Sequence, residues 1–344
     1  VALARVLGVA GWQGAGKTTL LERLVPRLVA DGLAIVVVEH DVHGLTLDVA
    51  GKDSDRLFRA GAEVLVDAPG ETLARRRGGE APLLPRLLAL ERRYDLVLVE
   101  GYKRGPQPKV WLLRAGEEAP PPEVGEVGEV VAVLPWEADR DQRFEALVRR
   151  RLADGWAQTP RRAGVLVGGA SRRMGRPKEA IEIAGRPLLA RVAEALAPAG
   201  AVTLLGGGGA AALPRLPDVP DAHGPLAGIL AALRWEPACW VVASCDLPRL
   251  RADAVEWLLA QRRPGRWAVL PRVGGVVQPL LAVYEAQALP LLEALAAEGA
   301  AAPSRLEGQA HVATPEPPAE LAACWRGVNT PQELAALGGL AEPE

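Results

Sequence analysis

Long apolar runs, paired cysteines and an excess of charge of either sign are all missing from this 344-residue chain. No apolar stretch approaches the roughly 20 residues that a membrane helix needs, so no membrane partner is expected. The stretch "VALARVLGVAGW" runs straight into a strand and loop without the layout of a secretory leader, and the expected location is cytoplasmic. Cys239, Cys245 and Cys324 show neither a paired framework nor Cys-x-x-Cys spacing, so they read as buried reduced thiols and not as metal ligands. A formal net charge of -2 with 24% charged residues excludes a general nucleic-acid binder and leaves anion binding to local sites. Lysine is also scarce: only five of the 40 basic residues are Lys, and Met174 and Asn329 are the single methionine and asparagine. Lys17, Lys178, Met174 and Asn329 therefore act as pointers, since Lys and Arg are not interchangeable around phosphate.

What is present is an alternation of short apolar runs and amphipathic stretches, enough for two α/β domains. "RVLGVAG", "LAIVVVEH" and "YDLVLVEG" read as buried strands, and "KTTLLERLVPRLVADG" as a helix closing at Gly32. β-branched runs separated by helices predict a mostly parallel sheet covered on both faces. Residues 115–129, rich in Pro, Gly and Glu, read as an exposed loop before the strand "VVAVLP". A helix over "RFEALVRRRLADG" ends near Gly155, "WAQTPRR" reads as a linker, and a fresh strand starts at Gly164. Beyond it "AVTLLGG", "WVVASCD", "RWAVLPRV" and "QPLLAVY" are strands, and "PLLARVAEALA" and "DAVEWLLAQRR" helices. The expected domains are residues 1–155 and 163–344, joined by 156–162. Both are expected to be α/β sheets.

Each domain carries a glycine-rich loop, and the two differ in design. "GWQGAGKT", residues 11–18, fits G-x-x-x-x-G-K-[ST] between a strand and a helix. Its glycines turn backbone N–H groups around phosphate oxygens, Lys17 reaches the terminal phosphates, and the Thr18 hydroxyl can ligate Mg²⁺. The candidate ligands are Gly11, Gly14, Gly16, Lys17, Thr18 and Thr19. The acid that completes the metal site is Glu100, at the end of "LVLVE", or Asp41, after "VVVEH". With Asn329 the only asparagine, the chain has no Asn-Lys-x-Asp guanine-reading motif. His40 and His43 read as polar loop residues and not as a metal pair. Lys52 and Asp53 belong to an ordered loop facing the nucleotide or a partner, or to a solvated charged turn.

The second loop, "VLVGGASRRMGRPK", brings Gly168 and Gly169 close to a base or phosphate after a strand; Ser171, Arg172 and Arg173 then offer donors. Lys178 follows a turn, and Met174 reads as a packing anchor. Such a loop can wrap a triphosphate and stabilise charge developing on a leaving pyrophosphate. "WVVASCDLP" adds Asp246 at the C-terminal end of a buried strand, where open α/β sheets place their ligands. Mg²⁺ on Asp246 with Lys178 nearby suits attack by an acceptor phosphate on an α-phosphorus. A turn-capping role for Asp246 is the alternative.

The first set of residues, "GWQGAGKTTLL", "GKDSDRLFRAGA" and "DLVLVEGYK", resembles the MobB proteins, small guanine-nucleotide-binding partners in molybdenum cofactor biosynthesis. Glu39 departs from the Lys usual before His in that family. The second set, "LVGGASRRMGRPK", "IAGRPLLARV", "HGPLAGILAAL", "ASCDLP", "QPLLAVY" and "VNTPQEL", resembles the MobA family of molybdenum cofactor guanylyltransferases. That resemblance implies GTP contacts at Leu166, Gly168, Gly169, Lys178 and Asp218, Mg²⁺ at Asp246, and Asn329 on the pterin side. Catalytic roles fall to Lys178, Asp246 and Arg173, with Ser171 among the ligands. Gly206 stands where the family often has Asn, and "LVGG" replaces the commoner "LAGG". Gly169 leans towards guanine, because cytidylyl-transferring relatives tend to show "LAAG".

Together the resemblances imply an α/β fusion of an N-terminal P-loop NTPase-like parallel sheet and a C-terminal Rossmann-like nucleotidyltransferase sheet, which transfers GMP from GTP to the terminal phosphate of molybdenum-molybdopterin and releases pyrophosphate. The N-terminal domain is expected to bind GTP and hydrolyse it slowly. Expected partners are molybdenum insertion proteins, molybdoenzyme chaperones and a second copy of the chain. Two other readings share these residues: a cytidylyl- or sugar-phosphate nucleotidyltransferase, and a non-catalytic nucleotide- or cofactor-binding adaptor.

Overall fold

The computed structural model describes residues 3–40, 49–76, 82–168, 181–183, 185–207, 212–328, 330 and 332–333. The chain divides into two compact units. Val1–Arg27, Ile35–Glu91 and Leu96–Arg149 form the first, and Leu28–Ala34, Arg92–Asp95 and Arg150–Glu344 the second.

The elements of the N-terminal half run β1 (Val6–Gly11), α1 (Lys17–Ala30), β2 (Ile35–Glu39), α2 (Asp53–Arg59), β3 (Val64–Ala68), β4 (Glu71–Arg75), α3 (Leu83–Glu91), β5 (Leu96–Glu100), β6 (Lys109–Leu112), β7 (Val130–Leu134) and α4 (Arg140–Ala157). Five strands form one parallel sheet in the order β2-β5-β1-β6-β7, as the continuous β-branched runs predict. Its central strand β1 is buried along its whole length. Leu87 of α3 covers one face with Val6, Val97 and Val99, while Ala10, Trp111 and Val124 form a separate cluster. The β3–β4 hairpin is a separate antiparallel pair.

The C-terminal half continues through β8 (Arg161–Leu166), β9 (Glu182–Ile183), β10 (Arg186–Pro187), α5 (Leu188–Ala195), β11 (Val202–Leu205), β12 (Arg215–Leu216), α6 (Pro225–Trp235), β13 (Cys239–Ser244), α7 (Ala252–Ala260), β14 (Ala268–Val269), β15 (Arg272–Val273), β16 (Val276–Val277), β17 (Leu281–Tyr284), α8 (Leu289–Ala297) and β18 (Val312–Ala313). Its main sheet has seven strands in the order β12-β11-β8-β13-β17-β14-β18, with β17 antiparallel to both neighbours. The period of two along each strand sorts the core into two layers. Ala163, Val165, Val241 and Ala243 pack with Leu188, Val192 and Val255 of α5 and α7. Leu205, Trp240 and Val242 pack on the other face with Ile229, Leu230 and Leu292 of α6 and α8.

Three bounds differ from the sequence reading. α4 does not stop near Gly155 but runs to Ala157, carrying Trp156 into a buried position. β8 begins at Arg161, three residues before Gly164, because Arg161 and Arg162 pair with Cys239 and Trp240. Residues 115–129 are not wholly exposed: Val124 is buried, and its carbonyl and that of Gly128 accept from Lys109 Nζ. None of the three cysteines is in a disulfide, and all three are buried. Among the described residues no helix is long and apolar enough to cross a membrane.

Candidate nucleotide sites

The first site is built at the C-terminal end of β1. Gly11, Gly14 and Gly16 all have positive φ, and Ala15 N–H closes the loop on the Trp12 carbonyl at 3.1 Å. Lys17 Nζ donates to that same carbonyl at 3.2 Å, and Thr19 is exposed on the first turn of α1. β5 lies beside β1 with Glu100 in register with Val9, which carries its carboxylate to the start of α1. There Thr18 Oγ1 donates to Glu100 Oε1 at 2.7 Å. The two oxygens expected to serve a metal are thus adjacent, a hard donor pair suited to Mg²⁺. Asp41 and His43 lie outside the described residues; His40 stacks on Tyr102 at 4.2 Å.

Two cations at this site were given no role by sequence reasoning. Lys103 follows Gly101 and Tyr102, both at positive φ, and its Nζ stands 4.0 Å from the centre of the Trp12 ring. Burial lowers its pKa, and the charges of Lys17 and Arg114 lower it further. The second is Arg140, the first residue of α4, which is buried beneath the loop. Its guanidinium donates to the carbonyls of Ala15 at 2.9 Å, Pro135 at 2.8 Å, Leu134 at 3.1 Å and also Leu113. One side chain therefore ties the phosphate loop to the chain beyond β6 and β7. Burial lowers its pKa. "LVEGYK" marked Lys103 only as part of a signature, and an Arg at a helix start carries no signal that it turns inward.

Lys52 is exposed and precedes α2, while Asp53 pairs with Arg56 at 3.6 Å. Asp55 is the ordered member of that segment, bonded to Gly51 N–H, Arg59 and Arg75, with Arg75 also over the Phe58 ring at 4.0 Å.

The second site lies along the C-terminal edge of β12, β11, β8 and β13. Register sets Leu216, Leu205, Leu166 and Ser244 side by side, so the residues just beyond them share one edge. Asp218 lies two residues past β12 and Asp246 two past β13. Three strand spacings, about 14 Å, separate the ends of β12 and β13 that precede them. Burial raises the Asp218 pKa. Leu166 is half-buried and packs towards Gly228 of α6. Gly168 has φ +90, and a β-carbon on it would stand 2.7 Å from the Gly207 carbonyl oxygen. Gly206 has φ +109; a β-carbon there would overlap the Val167 carbonyl oxygen and stand 3.4 Å from Asp218 Oδ1. The position where the resemblance led to an expected Asn has no room for a side chain here, and the Asp218 carboxylate stands beside it.

Beside Asp246 the chain returns at residues 326–328. Val328 N–H donates to the Asp246 carbonyl at 3.0 Å, and a β-carbon on Gly327 would lie 3.4 Å from Asp246 Oδ1. Gly169, Ser171, Arg173, Met174, Lys178 and Asn329 lie outside the described residues. No group of three or more His, Cys, Asp or Glu that could hold a metal occurs among the described residues.

Comparison with known proteins gives two matches. Residues 6–136 match the family "Molybdopterin guanine dinucleotide synthesis protein B", and residues 163–312 the "MobA-like NTP transferase domain". The chain is 40% identical over 139 residues to the molybdopterin-guanine dinucleotide biosynthesis adapter protein of Haemophilus influenzae, covering 39% of this chain and 78% of that protein. It is 35% identical over 195 residues to the probable molybdenum cofactor guanylyltransferase of Deinococcus radiodurans, covering 53% of this chain and 96% of that one. A crystal structure of molybdopterin-guanine dinucleotide biosynthesis protein A from Archaeoglobus fulgidus is 26% identical, with 52% and 96% coverage and a TM-score of 0.46. The chain belongs to both families, an N-terminal MobB domain fused to a C-terminal MobA-like nucleotidyltransferase domain of the molybdenum cofactor guanylyltransferase type.

Proposed function

We propose that the C-terminal domain transfers GMP from GTP to the terminal phosphate of molybdenum-molybdopterin and releases pyrophosphate. The observation that supports this most is the placing of Asp218 and Asp246 at opposite ends of one strand edge, with Leu166 and Gly168 between them. An edge of about 14 Å accommodates a nucleotide lengthwise, its nucleoside towards Asp218 and its phosphates towards Asp246. Asp246 fits Mg²⁺, which takes one or two carboxylates and completes its shell with water and substrate phosphates. When bound, Mg²⁺ would neutralise charge on the phosphate oxygens. Gly327 leaves the space beside Asp246 Oδ1 clear of a side chain. Lys178 and Arg173 would hold the departing pyrophosphate, and Gly169, Ser171 and Asn329 would complete the ligand set. The attacking phosphate is already anionic, so no strong general base is required.

The N-terminal domain would bind GTP with Mg²⁺ at Thr18 and Glu100. Hydrolysis would be slow, below the 1–100 s⁻¹ typical of kinases. Molybdenum insertion proteins and molybdoenzyme chaperones are the partners this reading implies. Among the described residues β2 is an edge strand and its Val37 is exposed, which supports pairing of two copies. The test is pyrophosphate release from GTP or CTP with molybdenum-loaded molybdopterin and Mg²⁺, for the wild type and Lys17→Ala. Release with GTP that survives Lys17→Ala assigns the chemistry to the second loop; preference for CTP, or no release with either, refutes the proposal.

A further inference from the structure

The phosphate loop of the first unit has no guanine-reading motif, yet an aromatic side chain stands against it. Trp136 follows β7 in the turn leading to α4 and is 56% exposed. A β-carbon on Gly16 would lie 3.5 Å from its Cζ3 and 3.8 Å from its Cη2, so the indole edge touches the last glycine of the loop. Its position is held from within. The Arg140 guanidinium stands 4.9 Å from the centre of the ring while bonding to the carbonyls of Ala15, Leu134 and Pro135. Ring and phosphate loop therefore share one anchor. An isolated exposed hydrophobe needs no explanation; one pinned to a phosphate loop by a buried cation is a built feature.

The sheet order sets the distance. β7 is two strands from β1, roughly 10 Å away, so a ligand whose phosphates sit on the β1 loop can extend its nucleoside towards the end of β7. We infer that Trp136 is the stacking platform for the nucleobase of the ligand held by the first phosphate loop. This rests on the reading that the loop binds a nucleotide. Stacking uses the π-face that every base presents, so the site takes nucleotides with little discrimination between bases and not by a hydrogen-bond code. That agrees with a chain whose only asparagine, Asn329, lies in the other unit.

The test uses the full chain and equilibrium binding of GTP, ATP and inorganic tripolyphosphate with Mg²⁺. The first-unit site is defined as the binding lost in Lys17→Ala. Trp136→Ala is expected to weaken Lys17-dependent GTP and ATP binding by about 5- to 150-fold and to leave tripolyphosphate unchanged. Trp136→Phe should keep most of the affinity, with both variants melting as the wild type does. Unchanged GTP and ATP binding in Trp136→Ala would overturn the inference. So would an equal loss of tripolyphosphate, since the ring would then only support the loop. A wild type with no Lys17-dependent binding of any of the three would overturn the nucleotide reading and the inference with it, a result separable from the other two.

Discussion

Placing an asparagine at Gly206 is expected to damage this protein. Gly206 has φ +109, and a β-carbon there would overlap the Val167 carbonyl oxygen. The overlap is with backbone, at a point where Val167 N–H also donates to the Leu205 carbonyl at 2.9 Å. Gly206→Asn would hold a residue in unfavourable backbone geometry, force β8 and β11 apart and weaken that bond, which together cost about 3–6 kcal/mol. For a unit of this size the midpoint of unfolding would fall by roughly 6–24 °C. Differential scanning calorimetry of the full chain reads this as a shift of the second unit's transition alone. Gly206→Ala should behave alike, because the β-carbon and not the amide makes the overlap. A Gly206→Asn variant that melts with the wild type and binds GTP more tightly would refute the reasoning. It would show that β11 yields at its end and that the missing amide, not the backbone, limits the site.

Three further outcomes follow from the sites. Asp246→Asn should lower guanylyl transfer by about 10²- to 10³-fold while leaving the melting transition in place; full pyrophosphate release from GTP would remove Asp246 from the metal site. Lys103→Gln takes a cation from beside Lys17 and should weaken GTP binding by the Lys17-dependent site about tenfold or more; equal affinity for the variant in a titration at low salt would show that Lys103 serves only Trp12. The Asp55 carboxyl is held down to about 2 by the Gly51 N–H first, then by Arg59 and Arg75. A lowered pKa means that its stabilisation is complete above about pH 4 and is lost as pH falls towards 2. Acid unfolding of Asp55→Asn should lack that slope, and parallel curves would show that the network contributes nothing.

How far the sequence foretells this structure depends on where each signal comes from. β1, the phosphate loop and α1 are legible because glycine spacing and a change of period are local. Glu100 and Asp246 are legible because each ends an apolar run, and the run itself places them at the edge of a sheet. The β3–β4 hairpin gives no such sign: most of its residues face solvent on both sides, so no alternation develops. Gly206 reads in sequence as a missing contact, whereas its cause is the closeness of the Val167 carbonyl on the neighbouring strand. Arg140 is the furthest from view. Its partners are carbonyls gathered from the phosphate loop and the chain beyond β6 and β7, and nothing within a few residues of it announces them.

That same guanidinium bears on how the first unit behaves in salt. Among the described residues its bonds run to peptide oxygens, and the neighbouring Asp141 carboxylate acts on it only through its charge, so a positive charge stays under the phosphate loop. Dissolved ions screen exposed charges over roughly 8 Å at physiological strength and reach buried ones far less. Lys17 and Lys103 stand where counter-ions can attend them, but Arg140 does not. The pull on a polyphosphate therefore has two parts, one that fades as salt rises and one that persists, so binding to this loop should level off at high ionic strength instead of vanishing.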